Sequence, residues 1–281
     1  MKIAVTGASG FIGRHVLGVL ATAGQDQVVA VSRQTQDLSW LPNGVAHASI
    51  DLTRPPSNAY RVLGEPDVLI HLAWSGLPNY QSLHHFETHL GEQYQFLRLL
   101  ATSGLRSLVC AGTCFEYGMR TGELDEALLA DPRNPYGFAK DTLRRELEFL
   151  AAETGLALTW ARLFYMYGDG QAPTSLYSQL MAAGARGDAE FRMSAGEQLR
   201  DYLHVRDVAR YLAALARNAP GAGIVNVCSG KPRSVRSLVE EWRDAHRISA
   251  KLVLGHFPYP SYEPMAFWGR NAKLRQLLGG E

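Results

Sequence analysis

The sequence predicts a doubly wound α/β fold on a parallel, Rossmann-type sheet, with a smaller C-terminal substrate-binding lobe. Three observations carry this expectation. Short apolar runs alternate with longer helical patterns, the runs are continuously hydrophobic, and the first run enters a glycine-rich turn. Continuous hydrophobicity marks strands covered by helices on both faces, and dense strand–helix alternation gives the layered parallel architecture. The 281 residues, 46% hydrophobic and 20% charged, suffice for one large domain plus a lobe.

In chain order, residues 2–6, 27–32, 45–50, 67–72, 106–111 and 157–164 read as buried parallel strands. Between them, 11–23, about 79–103 and 136–154 carry helical spacing. The rhythm loosens after Phe164: 168–174 is a loop, 175–186 a helix, and 187–203 a polar, glycine-punctuated stretch. Helical spacing returns at 205–217 and again at about 234–247, flanking a strand-like run at 223–228, while the Pro- and aromatic-rich tail 255–270 reads as irregular. The predicted organisation is a dinucleotide-binding domain over 1–164, to which 205–228 returns, and a substrate lobe from 165–204 and 229–281.

Strand 2–6 runs directly into TGASGFIG and then into an apolar-periodic helix. In such a turn Gly7 permits the tight bend, Gly10 lets the backbone approach a pyrophosphate, and Gly13 lets helix and strand pack closely. The phosphates then meet free N–H groups and the positive end of the helix dipole. Ser9, Phe11 and Ile12 belong to the same expected dinucleotide contact set. An NAD-specific site usually ends the second strand with an acidic residue that bonds the adenosine ribose. Here that strand ends Ser32–Arg33, which favours NADP, with NAD as the alternative, because arginine pairs with a 2′-phosphate. Asp51 and Leu52, after the third strand, are placed to hold the adenine edge.

Tyr136 and Lys140 lie four residues apart at the start of a predicted helix, so they share a face. Phenol, with an ordinary pKa of about 10, is a poor acid or base at neutral pH, and a neighbouring ammonium is expected to lower that value. The pair then exchanges a proton with a carbinol or carbonyl oxygen while hydride moves. Thr113 follows the carboxyl end of the strand near 106–111, where open α/β sheets place their ligands, and its hydroxyl can polarise a carbonyl.

With these motifs in place, the sequence resembles the extended short-chain dehydrogenase/reductases that act on nucleotide sugars. The matching segments are TGASGFIG (6–13), HLAW (71–74), GTCFEYG (112–118), NPYGFAK (134–140), RLFYMYGDGQ (162–171), LRDYLHVRDVA (199–209) and NVCSGKPRSV (226–235). The resemblance implies a Thr113–Tyr136–Lys140 catalytic triad, with Lys140 also holding the nicotinamide ribose. It places Leu72, Ala73, Trp74 and Leu163 along the cofactor, makes Arg200 the arginine for a nucleotide diphosphate, and puts Thr113, Cys114 and Tyr165 against the sugar. It further implies a homodimer through the helices near 79–103 and 136–154.

Departures from the family's patterns narrow the reaction. Where the dehydratases carry an Asp–Glu acid/base pair after the triad Thr, this chain has Cys114 and Phe115, and Phe transfers no proton. Glu116 sits one residue late unless a local kink re-aims it. Cys114 lies one position from the cysteine of the 3,5-epimerising reductases, and no histidine lies near RLFYMYG, so a buried structural thiol is the better reading. Tyr165 replaces the Asn that commonly contacts substrate. The expected reaction is NADPH-dependent reduction of the C4 ketone of a nucleotide-linked 4-keto-6-deoxyhexose, in deoxysugar and surface-polysaccharide (lipopolysaccharide) precursor synthesis. The alternatives are an NDP-hexose 4-epimerase with tightly held NAD and, from another class, an NADP-binding redox sensor without turnover.

Charge and composition exclude other classes. Twenty-eight basic against 27 acidic residues give a net charge of +1, so nothing electrostatic points to nucleic acid or an anionic membrane. No apolar run approaches a membrane span, the N-terminus enters strand 2–6 without a signal-peptide pattern, and three cysteines cannot all pair, which makes the cytoplasm the expected compartment. His84, His85 and His89 cluster on one predicted helix, but no further ligands lie nearby, so a solvated face is expected and no metal.

Overall fold

The computed structural model describes residues 1–33, 37–260 and 262–279; Ser261, within the tail expected to be irregular, and residues 280–281 of the expected lobe lie outside it. Strand β1 (Lys2–Thr6) leads to helix α1 (Phe11–Ala23), followed by β2 (Gln27–Ser32), β3 (Ala46–Ser49), the single turn α2 (Ala59–Val62) and β4 (Val68–His71). Next come α3 (Leu90–Thr102), β5 (Ser107–Thr113), β6 (Gly122–Leu124), α4 (Pro135–Thr154), β7 (Ala157–Leu163) and β8 (Tyr165–Tyr167). The chain continues through α5 (Leu176–Arg186), β9 (Glu190–Arg192), β10 (Leu199–Arg200), β11 (Tyr202–His204), α6 (Val205–Asn218) and β12 (Gly223–Val227). It ends with β13 (Arg233–Ser234), α7 (Val235–Ala245), β14 (Lys251–Val253), β15 (Phe267–Gly269) and α8 (Ala272–Leu277).

Seven strands form one parallel sheet in the order β12-β7-β5-β4-β1-β2-β3. Helices cover both faces, so β5 is buried at every position and β1 at all but its first. On one face α1 and α6 pack Val16, Leu17 and Leu20 with Val208, Leu212 and Leu215. On the other, α3 and α4 bring Phe96, Leu97 and Leu100 to Leu143, Leu147 and Leu150. Strands are added outward on one side of β1 (β2, β3) and then on the other (β4, β5, β7), so β1 and β4 flank the switch point at whose carboxyl side such sheets bind ligands.

A separate apolar cluster joins α5 to α7 through Tyr177, Leu180, Leu238, Val239 and Trp242. Short two-stranded pairings stitch the remaining segments: β8 with β11, β9 with β14, β10 with β13, and β6 with β15. The tail expected to be irregular therefore contributes a strand. Helix α8, within the segment the sequence assigned to the lobe, sets Leu274 into the large core.

The helix expected over 79–103 is also different in its first half. Residues 79–83 are turns and irregular chain after a cis Leu77–Pro78 bond, His85–His89 is a π-helical turn, and helix α3 starts at Leu90. The wider turn changes which residues face inward. His85 and His89 are buried, in place of the expected solvated face, while His84 remains exposed.

Candidate active site

The carboxyl ends of the central strands open into a cleft of ≈ 1240 Å³. Every residue singled out from the sequence for cofactor or substrate lines it: Gly7, Ser9, Gly10, Phe11, Ile12, Gly13, Arg33, Asp51, Leu52, Leu72, Ala73, Trp74, Thr113, Cys114, Tyr136, Lys140, Leu163, Tyr165 and Arg200.

The glycine turn has the shape a dinucleotide requires. Gly7 has φ +66°, and a Cβ there would lie 2.8 Å from the Ala73 nitrogen; at Gly13 it would lie 2.2 Å from the Gly7 carbonyl oxygen. Gly10 caps α1 without a side-chain hydrogen bond, and no acidic residue occupies the first turn, which leaves that end of the dipole open to an anion. Arg33 is exposed at the mouth of the cleft. Asp51 accepts from the Thr53 backbone and hydroxyl, at 3.0 and 2.9 Å, which holds its carboxyl below the usual range.

The corner that holds Thr113, Tyr136 and Lys140 is assembled by two capped turns. Asn134 caps α4 by accepting from the Gly137 amide at 2.7 Å, and Pro135 supplies a ready-made first helical residue. A Cβ at Gly137 would come within 2.7 Å of the Phe115 carbonyl, so glycine there permits the close approach of α4 to the turn after β5. That approach sets the Tyr136 ring 6.3 Å from that of Phe115 and brings Tyr136 into the cleft that Thr113 also lines. Lys140, one turn along, donates to the Ala111 carbonyl at 2.9 Å, and its ammonium lies 3.9 Å from the centre of the Trp74 ring.

The electrostatics of this corner correct one expectation. Burial pushes the Tyr136 phenol up, with Tyr80, Glu116 and Cys114 adding in the same direction, whereas the sequence predicted a lowered value. The i,i+4 spacing does place Lys140 on the same side, but its ammonium points to Ala111 and Trp74, and burial dominates. Lys140 itself is lowered to about 8, mainly by burial. Tyr136 is therefore a protonated phenol at neutral pH. Burial also keeps the Cys114 thiol neutral.

Glu116 is no acid or base of the cleft. It lies in a 3₁₀ turn, Cys114–Tyr117, with its carboxylate turned behind β5 to Arg162 and Trp160. His85 and His89 serve as polar clasps. Trp74 Nε1 donates to His85 Nδ1 at 3.1 Å, and the Ser75 amide donates to His89 Nε2 at 3.1 Å while His89 Nδ1 meets Glu92 at 2.9 Å. These bonds hold the β4 loop, and Trp74 with it, over Lys140. Among the described residues no group of three or more His, Cys, Asp or Glu is arranged to hold a metal, and no helix is long and apolar enough to cross a membrane.

Elsewhere in the cleft, Arg200 is buried and already has partners. It donates to Glu263 at 3.0 Å and to the carbonyls of Leu199 and Met265, with its guanidinium 4.6 Å from the Phe267 ring centre. The Tyr165 hydroxyl is buried without a hydrogen-bond partner among the described residues. Tyr80, Gln198, Tyr202, Tyr262 and Glu263 also line the cleft, and sequence reasoning missed them. The aromatic tail was a signal for Tyr262 and Glu263. Trp268 of the same tail is absent from the lining and pairs β15 with β6 instead.

A model of the NAD dependent epimerase/dehydratase family matches residues 3–228. The chain is 31% identical to the dTDP-6-deoxy-L-talose 4-dehydrogenase (NAD(+)) of Aggregatibacter actinomycetemcomitans, over 96% of this chain and 99% of the relative. It is 27% identical to the GDP-6-deoxy-D-mannose reductase of Pseudomonas aeruginosa, over 99% of this chain and 91% of the relative. Among solved structures, MoeE5 in complex with UDP-glucuronic acid and NAD superposes with a TM-score of 0.82 at 27% identity, covering 99% of this chain and 93% of that one.

Proposed function

The chain belongs to the NAD-dependent epimerase/dehydratase family, the extended short-chain dehydrogenase/reductases, and from that premise we propose that it reduces the C4 ketone of a nucleotide-linked 4-keto-6-deoxyhexose with NADPH. One observation separates reduction from the family's elimination chemistry. The proton donors at the catalytic corner are a buried, protonated phenol and a hydroxyl, while every carboxylate of the cleft is engaged elsewhere: Asp51 with Thr53, Glu92 with His89, Glu263 with Arg200. Elimination of water needs a carboxylic acid and a base beside the sugar. Ketone reduction needs one proton donor.

The glycine turn, Arg33 and Lys140 would hold NADPH, which would supply hydride for the carbonyl carbon. Thr113 and Tyr136 hold the C4 oxygen, and Tyr136 gives up its proton as negative charge develops there. The high pKa of Tyr136 keeps that proton in place until then, and Lys140 supplies positive charge to the same buried corner. Tyr80, Phe115 and Phe164 give this part of the cleft an apolar wall suited to a 6-deoxy methyl group. The names of the two relatives, a dTDP-6-deoxy-L-talose 4-dehydrogenase and a GDP-6-deoxy-D-mannose reductase, support this substrate class. Precursors of surface polysaccharides such as lipopolysaccharide are the context in which such sugars are consumed, and we assign the chain there. We also assign a homodimer through α3 and α4, which pack together and leave Phe138 and Phe149 exposed, a state that sedimentation reads directly.

NADPH is chosen over NADH because Ser32–Arg33 closes β2 beside the cleft, where an NAD site has a carboxylate. The assay offers dTDP- and GDP-4-keto-6-deoxyhexoses with either coenzyme and follows nicotinamide absorbance. Stoichiometric NADPH loss is expected, and Arg33→Ala should weaken NADPH about 10-fold or more while leaving NADH nearly unchanged. Equal losses would remove the NADP assignment. Interconversion of 4-epimers without net coenzyme consumption would replace the reductase by an epimerase.

A further inference from the structure

We infer that Glu116 is a positioning residue for ketone reduction: locked by Arg162 and Trp160 behind β5, it sets the Thr113 hydroxyl as a hydrogen-bond donor to the substrate carbonyl. The inference rests on the role proposed for Thr113.

The geometry is a reciprocal cap. Glu116 Oε1 accepts from the Thr113 amide at 2.8 Å, while Thr113 Oγ1 accepts from the Phe115 amide at 3.3 Å. The second bond occupies an acceptor site on the hydroxyl. That bond turns the hydroxyl's own proton away from the Phe115 amide and towards the cleft that Thr113 lines with Tyr136. Thr113 thus faces the cleft with a polarity chosen by the turn beneath it.

Glu116 is held with unusual completeness for a carboxylate outside the cleft. It is fully buried. Oε2 accepts from Arg162 Nε at 2.6 Å, and Trp160 Nε1 lies 2.9 and 3.1 Å from the two oxygens. Arg162 and Trp160 sit on β7, directly across from Gly112 and Cys110 of β5. The strand bearing Thr113 and the strand bearing its anchor are therefore hydrogen-bonded neighbours. A Cβ at Gly112 would fall 2.6 Å from Glu116 Oε1 and 2.2 Å from Trp160 Nε1, so the carboxylate occupies the space that a side chain would otherwise fill. The far side is closed by Tyr117, whose ring lies 4.4 Å from the Arg162 guanidinium and whose hydroxyl donates to Asn226 at 2.7 Å.

Packing alone does not account for this arrangement. A buried ion pair costs desolvation, and apolar residues of similar size commonly fill such a space as stably or better. A glutamine would fail more specifically: with its carbonyl on the Thr113 amide and Trp160 Nε1, its NH₂ would face another donor, Arg162 Nε, at the position of Oε2. Only a carboxylate accepts from all three. Its negative charge also acts on Tyr136, helping to keep the phenol protonated before hydride arrives.

The test is a double-mutant cycle between Glu116→Gln and Thr113→Val, read as single-turnover hydride transfer at saturating NADPH, with NADPH Kd measured separately. Glu116→Gln is expected to slow hydride transfer about 10- to 100-fold in the wild-type background, because small misplacements at a reacting group are that costly. In the Thr113→Val background the same change should cost about twofold or less, since the group through which Glu116 acts is already gone. NADPH Kd should move by less than about twofold in all variants. Equal losses in both backgrounds, or an unslowed Glu116→Gln enzyme, would overturn the inference. If Glu116→Gln does not fold, Glu116→Gln/Arg162→Met removes the whole ion pair, and the cycle with Thr113→Val is run on that protein with the same criteria. Should wild type leave 4-keto sugars untouched but epimerise UDP-glucose, the substrate assignment fails, while the coupling is still measured in epimerisation.

Discussion

Arg162 and Glu116 meet at 2.6 Å behind the strand that carries Thr113; Arg200 and Glu263 meet at 3.0 Å on the opposite wall of the cleft. The first pair joins β7 to the turn after β5, within the central sheet, and both side chains are sealed, at 1% and 0% exposure. The second joins the short strand β10 to the aromatic tail, and its carboxylate lines the cleft at 11% exposure. The difference lies in what each carboxylate can do when a ligand arrives. Glu116 has three donors and no route to solvent. Glu263 faces the space where an anionic substrate would come.

The largest effect that separates the two is on stability. Arg162→Met leaves Glu116 buried without its cation, and an uncompensated buried charge costs about 3–5 kcal/mol. Arg200→Met should cost about 1 kcal/mol, because Glu263 can turn towards water. Urea unfolding of the two variants reads the contrast, and equal losses would erase it.

Lys140 sharpens the comparison as a third buried cation, one for which no carboxylate among the described residues is a partner. A carbonyl and the Trp74 ring hold it instead, and burial lowers it to about 8 from an ordinary value near 10.5. Between those values the unfolded chain binds the proton that the folded chain has released, so stability gains from rising pH across that window. Below about pH 8 the folded protein carries the full cost of the buried charge. Lys140→Met should therefore be inactive yet more stable than wild type at pH 7, by up to about 3 kcal/mol from the linkage alone, and the advantage should vanish by about pH 10.5. Denaturation of both proteins across pH 7–10.5 measures it. A pH-independent difference would mean that the ammonium is not desolvated as described.

The same contrast explains what could be read from the sequence. The strands that build the sheet were legible because burial on both faces leaves a continuous apolar run, as in β5, and the glycine turn because its spacing is tied to close backbone approach. Tyr136 and Lys140 were legible as a shared helix face. The direction of the Tyr136 pKa was not, because it depends on how tightly Tyr80 and Cys114 close around it. His85 and His89 were expected on a solvated face for want of metal partners; in the structure they sit in a π-helical turn and bond inward to Trp74 and Ser75. Glu116 was readable as a nearby acid but not as one facing away, since a 3₁₀ cap decides that. Arg200 stood out, while its partner lies 63 residues later in a segment without periodicity. The paired strands β8–β11 and β6–β15, three residues each, are too short for any alternation to show.

The smallest expected effect bears on the exchangeable pair. If Arg200 is to hold a substrate diphosphate, as the family resemblance implies, the incoming phosphate oxygens compete with a carboxylate already at 3.0 Å. Glu263→Gln weakens that competition by replacing an anion with a neutral amide, while the Leu199 and Met265 carbonyls still orient the guanidinium. Free dTDP or GDP should then bind about 3- to 10-fold more tightly, roughly 1 kcal/mol, because the ligand no longer displaces a charge-assisted hydrogen bond. Isothermal titration of wild type and Glu263→Gln with each nucleotide measures this, and Arg200→Met should lose the gain. Weaker binding in Glu263→Gln would mean that the carboxylate orients Arg200 for the substrate, making this pair a fixed scaffold like Arg162 and Glu116.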